Sequence, residues 1–224
     1  VHPRALVGLA RAKHFDGDAA AAFDLAMQSL EINYQYVPAL VLLARLKIET
    51  ENPAAAEEDA LRALAVNPSS LEALTILGTI RFLEDDQQGY EEIRRRVTEI
   101  NPMYGEFYVT VAEVAAQHRR YADAERLARI AVQTDPESWN GYGTLGINEL
   151  RLGRVEEARG NLERSFAGDP FNVWIYNTLD LLDTFENYEL MSSPRFVFML
   201  HQDEAELLFP YFSALAEEAY DSLA

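Results

Sequence analysis

Cysteine is absent from all 224 residues. Disulfides, thiolate nucleophiles and Cys-ligated zinc are therefore excluded. Basic residues are scarce: 19 Lys and Arg stand against 37 Asp and Glu, for a formal net charge of -18. Nucleic-acid binding runs on Lys and Arg neutralising phosphates, so this balance argues against a nucleic-acid partner and against anionic membrane surfaces. No apolar run approaches the roughly 18 residues needed to span a bilayer, so no membrane insertion is expected. The four histidines are His2, His14, His118 and His201. No two lie four apart and none precedes a Glu, so the His-Glu-x-x-His zinc helix is missing. No metal or other cofactor, no catalytic residue and no enzymatic activity is expected of this chain. What remains is a 49% hydrophobic composition, enough for a folded core.

The strongest positive signal is punctuation. Asn67-Pro68, Asn101-Pro102, Asp135-Pro136 and Asp169-Pro170 recur with a spacing of 34 residues, and one step back lies Asn33-Tyr34. Proline ends a helix before it, and Asn or Asp ahead of it suits a turn. Aligned on these pairs, other columns agree. The seventh position reads Leu9, Leu43, Leu77, Val111, Leu145, and the eighth reads Ala10, Ala44, Gly78, Ala112, Gly146. The fourth reads Leu6, Leu40, Leu74, Tyr108, Tyr142, and the twentieth reads Ala22, Ala56, Tyr90, Ala124, Ala158. Small residues at fixed places let paired helices approach closely. A period of this length marks a helical repeat array, in which each unit buries its apolar face on its neighbours.

These columns resemble the tetratricopeptide consensus. The resemblance implies an all-α, right-handed superhelical solenoid of five helix pairs, at 3–36, 37–70, 71–104, 105–138 and 139–172. An extra helix at 173–186 would follow as a cap or incomplete sixth repeat, because Asp180 replaces the small residue of the eighth position. The third unit departs from the pattern. Arg94 stands where Ala26, Ala60 and Ala128 stand in other units. Two readings are open: Arg94, Arg95 and Arg96 form a solvated face, or they frame an anion site.

The first helix of each unit is expected to line a concave groove, through positions 2, 5, 9 and 12. Candidate ligand-binding residues are Arg4, Val7, Arg11, His14, Val41, Arg45, Ile48, Thr75, Thr79, Phe82, Val109 and Glu113. The fifth position is mostly apolar, so the carboxylate clamp of chaperone-binding tetratricopeptide domains is absent. The expected partner is a protein or peptide: an extended or helical segment with apolar anchors and an acidic group near Arg11 and Arg45. The alternative is that these two arginines only pair with acids of adjacent helices.

Other motifs carry less. Carboxylate runs such as Glu84-Asp85-Asp86 and Glu217-Glu218 read as solvated faces or helix starts. Gly141-x-Gly143-x-x-Gly146 fits a dinucleotide pattern by spacing, but it lies inside a repeat helix and follows no strand, so its glycines read as helix-packing positions.

After residue 172 the composition shifts, with ten acidic residues against the single Arg195 from Val173 to Ala224. A break is expected at Asn187–Pro194, then a strand at about 195–200 and a helix at about 204–223. This run resembles the junction in bacterial proteins that join tetratricopeptide repeats to a peptidase MA-like (gluzincin) metallopeptidase domain. The resemblance implies that 187–224 is the truncated start of such a domain. It also implies a bacterial source, cytoplasmic or periplasmic, and a binding or supporting role for the repeats beside the peptidase. Both chain ends read as cut from a longer protein, and exposed end faces would allow end-to-end dimers.

Overall fold

The computed structural model describes residues 2–50 and 52–223. It is an all-α repeat solenoid followed by a β-hairpin and a last helix. The chain divides into two compact units between Ser165 and Phe166.

The first unit holds α1 (Pro3–Phe15), α2 (Ala19–Ile32), α3 (Val37–Glu49), α4 (Pro53–Val66), α5 (Leu71–Leu83), α6 (Gln87–Ile100), α7 (Glu106–Gln117), α8 (Tyr121–Thr134), α9 (Trp139–Arg151) and most of α10 (Val155–Gly168). These are the five expected helix pairs. The Asn/Asp column has one geometric cause. In all five copies its side-chain oxygen accepts the N–H two residues on: Asn33 from Gln35, Asn67 from Ser69, Asn101 from Met103, Asp135 from Glu137 and Asp169 from Phe171, at 3.0–3.2 Å. This Asx turn spans the intervening residue without needing its N–H. Tyr34 can therefore replace proline and leave the turn intact.

The small columns are the close approaches. Ala10, Ala44, Ala112, Ala22, Ala56, Ala124 and Ala158 are all fully buried. The two glycines of the eighth position sit closer still. A Cβ on Gly146 would lie 2.7 Å from Leu162 Cγ and 3.0 Å from the Ala158 carbonyl oxygen. Gly146→Ala should therefore lower stability by about 1–3 kcal/mol, although alanine favours the helix. A fall in the urea midpoint would show it; an unchanged midpoint would mean that α10 gives way freely.

The third pair is irregular, as its sequence warns. The buried stripe of α6 shrinks to Ile93 and Val97. Tyr90 occupies the place of the small residue and meets Phe107 of α7 ring to ring at 5.6 Å. Phe107 is fully buried, and a Cβ on Gly78 would come within 2.6 Å of its ring. Phe82, Tyr90, Phe107 and Tyr108 form a chain of ring contacts with centroids 5.2–6.2 Å apart. The Tyr90 hydroxyl is buried without a hydrogen-bond partner, and burial holds its pKa well above the usual phenol range.

In the second unit α11 (Val173–Asp183) leads through a 3-10 turn at Thr184–Asn187 into β1 (Tyr188–Ser192). An antiparallel β2 (Val197–His201) and α12 (Ala205–Leu223) follow. The expected break at Asn187–Pro194 is thus largely a strand, and only the second strand was legible. Residues 188–192 carry a weak strand pattern of their own; pairing with β2 sets their conformation. The register places Tyr188 opposite His201, Leu190 opposite Met199 and Ser192 opposite Val197. Phe198, on the other face, packs against Phe209 of α12 at 5.7 Å. Glu217 of α12 holds the hairpin loop, accepting from the Ser193 hydroxyl at 2.6 Å and from the Arg195 N–H at 3.0 Å. The Arg195 guanidinium reaches Glu217 and Asp221 and lies over the Tyr220 ring. The one cation of this acidic segment is engaged structurally.

Candidate peptide-binding groove

The first helices of the pairs, α1, α3, α5 and α7, line a cavity of about 200 Å³. Its floor is apolar, from Val41, Leu42 and Ile76, and its rim is charged or polar, from Arg11, His14, Arg45, Glu72, Tyr104 and Glu106. Of the candidates read from sequence, Arg11, His14, Val41, Arg45 and Thr75 are brought together here. Arg4 is exposed and Glu113 half-buried. Val7, Ile48, Thr79, Phe82 and Val109 are buried in the core, as is most of Thr75. The Thr75 and Thr79 hydroxyls bond back to the carbonyls of Leu71 and Thr75, at 2.8 and 2.9 Å. The fifth and twelfth positions divide: Val41, Thr75 and His14 line the cavity, whereas Val7, Val109, Ile48 and Phe82 are buried between helices.

Leu42, Glu72, Ile76, Tyr104, Glu106 and Thr110 also line the cavity and were not among the candidates. Glu72 and Glu106 both occupy the second position of a unit, the column from which only Arg4 was taken. That column is the signal that could have found them.

The charges on the rim are ordered. Arg45 bridges Glu49 of its own helix and Glu113 of α7, at 3.5 and 3.3 Å. Glu49 also meets His14 Nε2 at 2.7 Å. Arg45 thus pairs with acids of its own helix and of α7. Arg11 has no acid within ion-pair distance among the described residues. Burial raises the pKa of Glu113, and the neighbouring Glu106 and Glu49 add to the rise; Arg45 and a hydrogen bond with Asn140 oppose it. Glu106 is raised in the same way, by burial first. Ionising either carboxyl costs the folded chain more than the unfolded one. Tyr104, flanked by Glu72 and Glu106, is pushed up to about 12 by burial and then by these two charges.

The arginines of α6 lie among acids. Arg94 bonds Glu91 at 2.7 Å and is half-buried, and Arg95 is exposed. The open trough beside them is lined by Glu91, Glu92 and Glu99 as well, so acids outnumber the two arginines. The histidines are likewise occupied or structural. His2 Nδ1 caps α1 by accepting the Arg4 N–H, His118 ends α7, and His201 ends β2. Among the described residues no group of acidic and histidine side chains could hold a metal ion, and no helix is long and apolar enough to cross a membrane. The glycines at 141 and 146 are helix-packing residues, the first against Ser138 and Val132 and the second against Leu162.

Comparison with curated proteins gives no match. Among solved structures the chain resembles a thermophilic TPR protein of Thermus thermophilus, at 19% identity and a TM-score of 0.60, over 80% of this chain and 98% of that one. It also resembles pilF of Pseudomonas aeruginosa, at 15% identity and a TM-score of 0.49, over 81% and 86% of the two chains. A third is MamA, at 19% identity and 0.44, over 86% and 98%. At such identities the likeness is one of fold alone. The family profile described as tetratricopeptide repeat matches residues 41–89 and 109–173. The gap between the two matched stretches contains Tyr90, Arg94 and Phe107, the irregular third pair. With more than half its residues matched and the helix pairs in place, the chain belongs to the tetratricopeptide repeat family and has the general role of a protein-binding scaffold.

Proposed function

We propose that the groove formed by α1, α3, α5 and α7 holds a peptide segment of a protein partner. The supporting observation is the cavity with an apolar floor and a charged rim, built from four successive first helices. An apolar anchor of the partner would fill the floor at Val41, Leu42 and Ile76, and rim contacts would set its register. Arg4 and Arg11 extend the contact surface toward the N-terminal end of the groove. The test is direct binding of a peptide array to the whole chain, repeated with Leu42→Asp and Ile76→Asp. Binding that falls at least about tenfold in both variants, with melting still cooperative, supports the reading. Binding that is unchanged places the partner on another surface.

For residues 187–224 we retain the reading as the opening of a peptidase MA-like domain in a larger bacterial protein, with the repeats presenting substrate or supporting the enzyme. Leu190, Val197 and Met199 lie on one face of the hairpin and are exposed, which suits a sheet that continues into further structure. A His-Glu-x-x-His helix encoded directly downstream would support this reading, and its absence there would remove it.

A further inference from the structure

Within the groove the charges are unbalanced in one place. Glu72 of α5 and Glu106 of α7 both line the cavity and flank Tyr104. Among the described residues, neither carboxylate has a cation within ion-pair distance. Glu72 accepts from the Ser70 hydroxyl at 3.3 Å, and Glu106 is paired with the neutral amide of Asn140. Arg45, the nearest guanidinium, already bridges Glu49 and Glu113. Arg11 lies on α1, at the other end of the cavity lining. Glu106 is half-buried and Glu72 exposed, so the charge on Glu106 interacts more strongly than one on an open surface. The apolar floor beneath them focuses the field further.

We infer that the partner segment carries a basic side chain, Arg or Lys, seated between Glu72 and Glu106 with its stem on the floor of Val41, Leu42 and Ile76. This rests on the groove reading proposed above and reverses the charge first expected for the ligand. The sequence directed attention to Arg11 and Arg45 as anion receptors. Arg45 bridges Glu49 and Glu113; it acts on Glu106 through space, and neither Glu72 nor Glu106 has an ion pair of its own among the described residues. A guanidinium suits the gap better than an ammonium. It offers a planar fork of donors to two carboxylates, and it stacks on an aromatic ring such as Tyr104. An acidic segment would bring like charge against Glu72 and Glu106, and such juxtapositions disfavour wrong partners.

The experiment uses the whole chain and three sets of short apolar peptides, identical except for Arg, Gln or Glu at the central position. Affinities are measured by titration calorimetry at low and at physiological salt. The Arg set is expected to bind about tenfold tighter than the Gln set at low salt. The Glu set should be weakest, and the preference should shrink as salt rises. In Glu72→Gln and Glu106→Gln, singly and together, the ratio of Arg-set to Gln-set affinity should fall toward parity. Both changes keep side-chain shape, and the rank order on the unaltered chain decides the question even if a variant folds poorly. If Gln or Glu peptides bind as tightly as Arg peptides, and Leu42→Asp abolishes that binding, the groove reading stands and the cationic ligand is wrong. If no set binds, the groove reading fails and this inference with it.

Discussion

Phe107→Ala is expected to destabilise the solenoid by about 3–5 kcal/mol, the cost of emptying a fully buried aromatic site. Phe107 is completely enclosed and rests on the hydrogen face of Gly78, against Tyr90 at 5.6 Å and Tyr108 at 5.2 Å. It sits against Gly78 of α5 and Tyr90 of α6, so its removal leaves a void lined by three helices. Chemical denaturation followed by circular dichroism measures the loss. Gly78→Ala, which pushes a methyl into the same ring, should also destabilise. Combined, the two changes should cost less than their sum, because the added methyl then enters the space that the ring vacated. Strict additivity, or a Phe107→Ala cost below about 1 kcal/mol, would show that the aromatic chain does not bridge the third and fourth pairs.

The second large effect is electrostatic. Glu149 is 1% exposed on α9 and meets the Arg129 guanidinium at 2.9 Å and the Asn161 amide at 2.7 Å. Arg129 also bonds Glu125, which keeps a second cation in Arg154 at 3.2 Å. Arg129→Met keeps most of the stem but leaves Glu149 as a buried charge without a cation. The expected loss is about 3 kcal/mol, since breaking one side of a buried pair costs more than the pair contributes. The remedy follows from the cause. Arg129→Met with Glu149→Gln should recover most of the loss, because a neutral amide needs only hydrogen bonds and Asn161 can supply one. A thermal-melt series of the two single variants and the double variant tests it. If the double variant is no better than Arg129→Met alone, the arginine acts through packing of its stem rather than through charge.

The two effects show different limits on what the residues disclose by themselves. The array was legible because its causes are local. An Asx turn needs only an Asn or Asp and the next two residues, and a helix stop needs only a proline. Both repeat at 34 without reference to anything distant. The departure at Tyr90 and Arg94 was visible for the same reason. Its consequence was not, because Tyr90 packs on Phe107, a residue of the next unit. The groove was half legible. Helical geometry put Arg11, Val41 and Arg45 on the side where the cavity lies, but it also put Val109 and Thr79 there, which are buried. Arg45 looks free in sequence. Its acid, Glu113, lies two repeats away, and only stacking brings them to 3.3 Å.

The tail divides in the same manner. β2 carries its own signal in Val197, Phe198, Met199 and Leu200, whereas β1 is a strand because of what lies beside it. The amino-acid sequence by itself therefore determined the period, the helix ends, the family and the absence of cysteine or zinc-helix chemistry. The tertiary structure alone decided which charges are spent on one another, which aromatic packs on which neighbour, and which side chains line the cavity. The physical reason is range. Turn and helix preferences act over a few residues, but burial and ion pairing depend on neighbours that the chain supplies from other repeats.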